Sequence, residues 1–381
     1  MDQTFSFGVE FCDVLEKIQL TIQSFENISR MILNVIEKLE ECLKTIRNGT
    51  PTTMSSTKQQ ENSLKLHCLQ QPIVKGFMDI AGLTSVKYSL YTMVILPRLQ
   101  PQLFANRTVS NTVLLFGPPG TGKTRLVHGL AAESNAALHV VTAADLLSRY
   151  VGETEKKISL MFERLQQNEK FSILFIDEVD SLCRKRSSSE SDFIRSVKTE
   201  FMCQMTRVEH CRNFIIIAAT NCPWDLDSAI LRRFQKRLYV PLPNWEERIQ
   251  LFQLLTKNIE IVPFEANELE DLIKQCDGFS GSDISCLIQE ALDIPLTELH
   301  DTNIWIKTKE GFYEPVMEEF PDDYGSFITT NIIISCLNDL PPYTVKSRRI
   351  TIEDFQQAVK RTQITVNAED IKKYNVFIQR K

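Results

Sequence analysis

One eight-residue stretch limits this chain more than any other. Gly117-Pro118-Pro119-Gly120-Thr121-Gly122-Lys123-Thr124 fits the pattern G-x-x-x-x-G-K-[ST]. It follows the apolar run Thr112–Phe116 and opens a helical pattern near Arg125. A strand that feeds a glycine-rich turn and then a helix presents backbone amides at the positive helix end, which is a cradle for phosphate. Pro118 and Pro119 have no N–H. The cradle must therefore use the amides of Gly120 through Thr124. Lys123 is then placed to reach β- and γ-phosphates, and the Thr124 hydroxyl to hold Mg²⁺.

A second stretch supports the first. Ser172–Ile176 is an apolar run that ends in Asp177 and Glu178. In a doubly wound sheet, ligands collect at the carboxyl ends of the strands. An acid there can hold the Mg²⁺ shell, and the next can polarise water towards a γ-phosphate. Alone, such a pair reads as a solvated turn after a buried strand. Beside the phosphate loop it reads as the other half of a hydrolytic site.

Residues 73–243 predict an α/β domain. Its candidate strands are Thr112–Phe116, Leu138–Thr142, Ser172–Ile176, Phe214–Ala219 and Arg237–Val240. Runs rich in Val, Ile and Phe, apolar on both faces, imply a parallel sheet covered by helices. Residues 244–300 carry a helical period and predict a small helical domain. Residues 301–349 predict a β-rich insertion, with short strands at Ile304–Ile306, Phe312–Tyr313 and Asn331–Leu337. Residues 350–381 predict further helices. Ile352, Phe355, Gln356 and Val359 there stand at helical spacing.

The N-terminal segment, 1–48, is different. Phe11, Leu15, Ile18, Ile22, Phe25, Ile32, Ile36, Leu39, Leu43 and Ile46 recur at alternating steps of four and three, broken only by Ser29. Val14, Ile28 and Val35 widen the seam. This predicts a heptad-patterned helical arm for oligomerisation or a partner, with a hairpin packed on its own chain as the alternative. Residues 49–72 are polar, begin Gly49-Thr50-Pro51 and read as a linker.

Composition removes several function classes. With 43 basic and 49 acidic residues the net charge is −6, which disfavours a general nucleic-acid binder. A 43% hydrophobic share excludes global disorder. No apolar run approaches the ~18–20 residues of a membrane span, so membrane contact is expected to be indirect. Met1–Asp13 does not read as a signal peptide. The ten cysteines form no CxxC pair and are read as reduced core thiols of a cytoplasmic protein.

Together these motifs resemble the AAA ATPases, within the clade of katanin, spastin, fidgetin and the vacuolar sorting ATPase that remodels ESCRT-III polymers. The similarity runs from Met78-Asp79-Ile80-Ala81-Gly82-Leu83 to about Ala291, and again from about Ile350. The resemblance implies roles by position. Asp79, Ile80, Ala81 and Gly82 would line the adenine pocket. Gly117 to Arg125 would form the phosphate loop and its helix. Asn221, in Ala218-Ala219-Thr220-Asn221, would hold the attacking water. Arg232 and Arg233 would be arginine fingers offered to a neighbouring subunit, which ties hydrolysis to assembly. Gly281 and Ser282 fall in the second-sensor segment, and the resemblance makes 244–300 a small helical lid that the helices of 350–381 complete. Tyr150 and Val151, in Ser148-Arg149-Tyr150-Val151-Gly152-Glu153, would grip a peptide in a ring's pore, and Ser187–Asp192 aligns with a second pore loop.

Trp224-Asp225-Leu226-Asp227-Ser228-Ala229-Ile230, Lys198-Thr199-Glu200-Phe201 and the long 301–349 stretch lie closest to the vacuolar sorting group, whereas Tyr150-Val151 is more like spastin. The implied activity is Mg-dependent ATP hydrolysis by a homo-oligomer, a hexamer in this clade, that disassembles ESCRT-III at endosomal membranes. A microtubule-severing ATPase acting on tubulin is the alternative. A catalytically dead scaffold is disfavoured by the intact Lys123, Asp177, Glu178, Asn221, Arg232 and Arg233.

Overall fold

The computed structural model describes residues 69–107, 109–142, 153–168, 170–184, 192–208, 211, 213–308, 310–316 and 332–379. The chain divides into two units, Met1–Lys65 and Leu66–Lys381, and every described residue belongs to the second. The heptad arm therefore lies outside the described residues. So do Tyr150 and Val151, and all but the last residue of Ser187–Asp192.

The described chain begins with β1 (Leu69–Gln70) and α1 (Thr84–Leu90), which runs on through a wide turn at Tyr91–Ile95. Then come β2 (Thr112–Phe116), α2 (Lys123–Ser134), β3 (Ala137–Thr142) and α3 (Glu153–Gln167). After these follow β4 (Ser172–Asp177), α4 (Val179–Cys183), α5 (Asp192–Arg207), β5 (Phe214–Thr220), α6 (Ser228–Arg233) and β6 (Lys236–Tyr239). These six strands form one sheet in the order β1-β3-β4-β5-β2-β6. All neighbours are parallel except β1, which pairs antiparallel with β3. Leu69 and Gln70 thus leave the stretch expected to be linker and extend the sheet edge.

Period-2 alternation sends side chains to opposite faces. Val113 and Leu115 of β2 pack with Leu126, Leu130, Phe175 and Ile217 on the face covered by α1 and α2. Leu114 faces the other way and joins Ile158, Phe162, Phe201 and Ile216 beneath α3 and α5. With both faces covered, the central strands β2, β4 and β5 are buried along nearly their whole length and are mostly apolar. Each such side chain contributes about 1.5–3 kcal/mol on burial. The register also fixes where the sheet stops. Phe116 lies opposite Thr220 and Tyr239, and Thr142 opposite Asp177. The ends of β2, β4, β5 and β6 are thereby brought to one edge.

The helical unit comprises α7 (Trp245–Thr256), α8 (Ala266–Gln275), α9 (Gly281–Asp301) and α10 (Ile352–Arg361). Its core is Phe252, Ile273, Leu287, Ala291, Phe355 and Ala358. In α10 the buried stripe is Ile352, Phe355 and Ala358, and Gln356 faces solvent, correcting the periodic set read from sequence. Between α9 and α10 a three-stranded antiparallel sheet, β7 (Ile304–Lys307), β8 (Tyr313–Pro315) and β9 (Ile332–Ile334), is organised by the fully buried Trp305. Its indole N–H donates to the Ser335 carbonyl at 2.8 Å.

The last helix, α11 (Ala368–Gln379), does not join the lid core. Its aromatic side chains find partners at the sheet edge instead. Tyr374 packs on Trp224 and Tyr239, and Phe377 meets Phe116 edge-on at 5.2 Å.

The cysteine reading needs correction. Cys183 and Cys276 are buried, whereas Cys203, Cys286 and Cys336 are exposed. Apolar character alone does not reveal which side of a helix a small thiol occupies.

Arg348 clamps the insertion to the lid. Its Nε and Nη2 donate to Glu298 of α9 at 2.7 and 2.6 Å, and its Nη1 and Nη2 donate to Asp354 of α10, both at 2.7 Å. Burial would raise the Asp354 carboxyl, but hydrogen bonds from Arg348 and the Thr351 amide outweigh it and hold the group below its ordinary value. A carboxylate depressed in the fold binds fewer protons there than in the unfolded chain, so stability rises with pH across this window. The contribution is complete above the ordinary Asp value of about 3.9 and is lost as pH falls below it. Thermal melting followed from about pH 5 to pH 3 should therefore show a steeper acid loss for the parent chain than for Asp354→Asn.

Candidate functional site

The strand ends and the lid enclose a cavity of about 460 Å³. Its phosphate end is the loop between β2 and α2. Lys123 is buried, with its ammonium donating to the carbonyls of Gly117 at 3.0 Å and Pro118 at 2.7 Å. Thr121 Oγ1 donates to the Pro118 carbonyl at 2.9 Å. The Gly117 and Pro118 carbonyls thus serve as acceptors that fold the loop over the lysine stem. Burial lowers the Lys123 ammonium to about 8, against the opposing pull of Asp177 and Asp180.

Thr124 Oγ1 donates to Asp177 Oδ2 at 2.7 Å, joining the start of α2 to the end of β4. A hydroxyl and a carboxylate oxygen side by side suit a hard divalent cation that keeps much of its water and takes phosphate oxygens for the rest. Glu178 follows in left-handed backbone at φ 49°. For a residue with a Cβ this costs about 1 kcal/mol or more. The Ser181 hydroxyl donates to the Glu178 carbonyl at 2.6 Å and helps hold the turn.

Asn221 stands between β4 and β2, just beyond β5. Its side-chain Oδ1 is buried with no hydrogen-bond partner among the described residues. Its backbone is held from several sides. Thr220 Oγ1 donates to Asp180 Oδ1 at 2.6 Å and accepts from the Cys222 amide at 3.0 Å. The Tyr374 hydroxyl of α11 donates to the Asn221 carbonyl. An orphan acceptor on a fixed backbone is placed to receive a hydrogen bond from a group that enters the cavity.

The opposite end is apolar. Ile80, Ala81, Leu83, Pro241, Leu251, Leu254 and Leu255 supply the apolar part of the cavity lining. The Ile80 segment lies close on α2. Gly129 permits this, since a Cβ there would come within 2.5 Å of Ile80 Cδ1. Arg125 Nη2 donates to the Asp79 carbonyl at 3.3 Å. Over the phosphate loop sits the start of α9, where the Ser282 amide donates to the Gly120 carbonyl at 3.1 Å.

Of the residues singled out from sequence, Asp79, Ile80, Ala81, Pro119, Gly120, Thr121, Gly122, Lys123, Thr124, Arg125, Asp177, Glu178, Asn221, Gly281 and Ser282 line this one cavity. Gly117 and Pro118 lie behind it, bonded to Lys123. Gly82 falls just outside its lining. Arg232 and Arg233 are exposed at the end of α6 and do not line it. Sequence reasoning missed Asp180, Glu247, Leu251, Leu254, Leu255 and Tyr374. Only Glu247 carried a local signal, as the last residue of an Asn-x-x-Glu helix start.

Family comparisons agree with this arrangement. Residues 113–242 match the family model described as ATPase family associated with various cellular activities (AAA), and 267–309 match the AAA+ lid domain. Residues 333–380 match the Vps4 C terminal oligomerisation domain. The chain is 36% identical over 331 residues to vacuolar protein sorting-associated protein 4A of Rattus norvegicus, covering 84% of this chain and 74% of that one. The chain belongs to the AAA ATPases, in the Vps4-like group of the meiotic clade. Spastin of Xenopus laevis is 41% identical over 270 residues, covering 67% of this chain and 44% of spastin. The crystal structure of the FIGL-1 AAA domain in complex with ADP matches with a TM-score of 0.65 and 29% identity, over 87% of this chain and 99% of that one. This AAA ATPase binds nucleotide and hydrolyses ATP.

Tyr374→Phe removes one hydroxyl and keeps the ring packing. Loss of a hydrogen bond of about 1 kcal/mol on the Asn221 backbone should lower kcat by about fivefold. KM for ATP should stay within about twofold. Steady-state ATPase kinetics check this.

Proposed function

We propose that this AAA ATPase works as a ring, most simply a homo-hexamer, that threads and disassembles a protein polymer of the ESCRT-III kind at endosomal membranes. The observation that carries the proposal is the Vps4 oligomerisation match over 333–380, a stretch that includes α11. That helix meets the Asn221 segment of its own catalytic domain. Assembly and hydrolysis would thereby share one element. The exposed position of Arg232 and Arg233, away from their own cavity, fits fingers offered to a neighbouring subunit.

Within each site the residues take distinct tasks. The amides of Gly120 to Thr124 cradle the phosphates, while Lys123 turns from the Gly117 and Pro118 carbonyls to the β- and γ-phosphates. Glu178 accepts the proton of the attacking water, whose oxygen bonds to the γ-phosphorus as the bond to the β–γ bridging oxygen breaks. Asn221 Oδ1 orients that water. Thr124 and Asp177 would hold Mg²⁺, which when bound neutralises charge on the β- and γ-phosphate oxygens. Asp79, Ile80, Ala81 and Gly82 form the adenine side, and Gly281 and Ser282 close over the phosphates. Arg232 and Arg233 add charge at the partner's γ-phosphate, a contribution of about 10³–10⁵ in rate. Tyr150 and Val151 grip the threaded peptide. Among the described residues no helix is long and apolar enough to cross a membrane. That fits a cytoplasmic protein recruited peripherally.

A severing reading, with tubulin as client, draws support from the spastin identity over a shorter stretch. The Vps4-type C-terminal match favours the first reading.

Glu178→Gln should bind ATP and fail to turn it over, and ESCRT-III subunits rather than tubulin should copurify with this trapped form. Rapid hydrolysis by the variant would remove Glu178 from the mechanism, and tubulin capture would favour severing. Specific ATPase activity should climb with protein concentration, because the arginines act in trans. A flat profile down to monomeric concentrations would count against Arg232 and Arg233.

A further inference from the structure

Two consecutive residues on the base side of the cavity hold left-handed backbone, Gly82 at φ 59° and Leu83 at φ 54°. This conformation is disfavoured for any residue with a Cβ and persists only when its surroundings hold it. At these two positions the support comes from α7. The Leu83 amide donates to Glu247 Oε1 at 2.6 Å, and the Gly82 amide donates to Gln250 Oε1 at 3.2 Å. Glu247 is used twice, because its Oε2 accepts the Asn244 amide at 2.9 Å and closes the capping box that starts α7. The fit is close. A Cβ on Gly82 would lie 2.4 Å from Glu247 Oε1.

The same helix supplies another wall. Leu251, Leu254 and Leu255 of α7 line the same cavity as Ile80, Ala81 and Leu83. The separation of the two walls is therefore set through Glu247 and Gln250. The Ile80 carbonyl is further tied down by the Lys87 ammonium. One wall hangs from the helix that bears the other.

We propose that Glu247 and Gln250 are positioning residues for the nucleotide base. They hold the Ile80–Leu83 wall in register with the Leu251–Leu255 wall, so that a slot for a planar purine exists only while α7 is seated. Occupancy of the slot and the seating of α7, the first helix of the lid, are then linked equilibria, and binding stabilises the seated form. This inference rests on reading the cavity as the nucleotide site.

The test uses the full chain, a fluorescent N-methylanthraniloyl ADP, and steady-state ATPase kinetics. Glu247→Ala should raise the ADP Kd and the ATP KM by about tenfold, as expected for loss of a hydrogen bond to a charged group and relaxation of the wall. Its kcat at saturating ATP should stay within about twofold, since the phosphate end is untouched. Gln250→Leu should raise both constants by about threefold, consistent with a neutral bond. Glu247→Gln should recover most of the affinity, because its amide oxygen can still accept from Leu83. Asn244→Ala breaks the helix cap without touching the Leu83 bond and should leave Kd within about twofold of the parent.

The proposal fails if Glu247→Ala binds and turns over like the parent. It also fails if Asn244→Ala weakens binding as much, which would reduce Glu247 to a helix cap, or if kcat falls while KM holds. Should Glu247→Ala not fold, as judged by circular dichroism, Gln250→Leu decides the matter, and an unchanged KM there overturns the idea. A parent chain that binds no labelled ADP would instead sink the nucleotide reading beneath it.

Discussion

The ammonium of Lys123 is a positive charge taken out of water at the start of α2. Such a group persists only where acceptors meet it. Here the Gly117 and Pro118 carbonyls do so, with Asp177 and Asp180 as nearby countercharges. Meeting that need shapes the surroundings. The loop must curl over the lysine stem, β4 must end level with the loop, and β5 must lie between β4 and β2. The sheet order brings Asp177 and Asn221 to the same edge as the phosphate loop. Phosphoryl transfer asks for little beyond such placement of charge.

The lid is anchored to this edge at several points. The start of α9 touches the Gly120 carbonyl and α7 holds Gly82 and Leu83, while α11, outside the lid core, reaches Asn221 through Tyr374. Each contact ends on a backbone group of the site, so a shift of the lid moves the catalytic backbone directly. In this Vps4-like AAA ATPase the stretch that matches an oligomerisation domain contains α11 and so includes one of these contacts.

Much of the site was legible because it is local. The phosphate loop and the acidic strand end are contiguous motifs in which adjacent residues act together. The strands were legible because burial on both faces leaves only apolar residues. Reading failed where contact joins distant positions. Glu247 lies 164 residues from Leu83, and Tyr374 lies 153 from Asn221. Neither separation leaves a pattern in one sequence. The thiols and Gln356 failed for a related reason. Periodicity locates a stripe, but the packing partner decides which edge of it is covered.

The amino-acid order by itself determined that a phosphate cradle would form, which side chains would face it, and that a parallel sheet would carry it. These follow from backbone freedom, missing amide protons and apolar alternation within short windows. The tertiary structure decided that Arg232 and Arg233 would stand outside their own cavity, that α11 would leave the lid core for the sheet edge, and that α7 would line the cavity and hold the Gly82 and Leu83 amides. Those outcomes depend on which surfaces meet once the sheet has closed. That is a competition among long-range burials and hydrogen bonds that no local window contains.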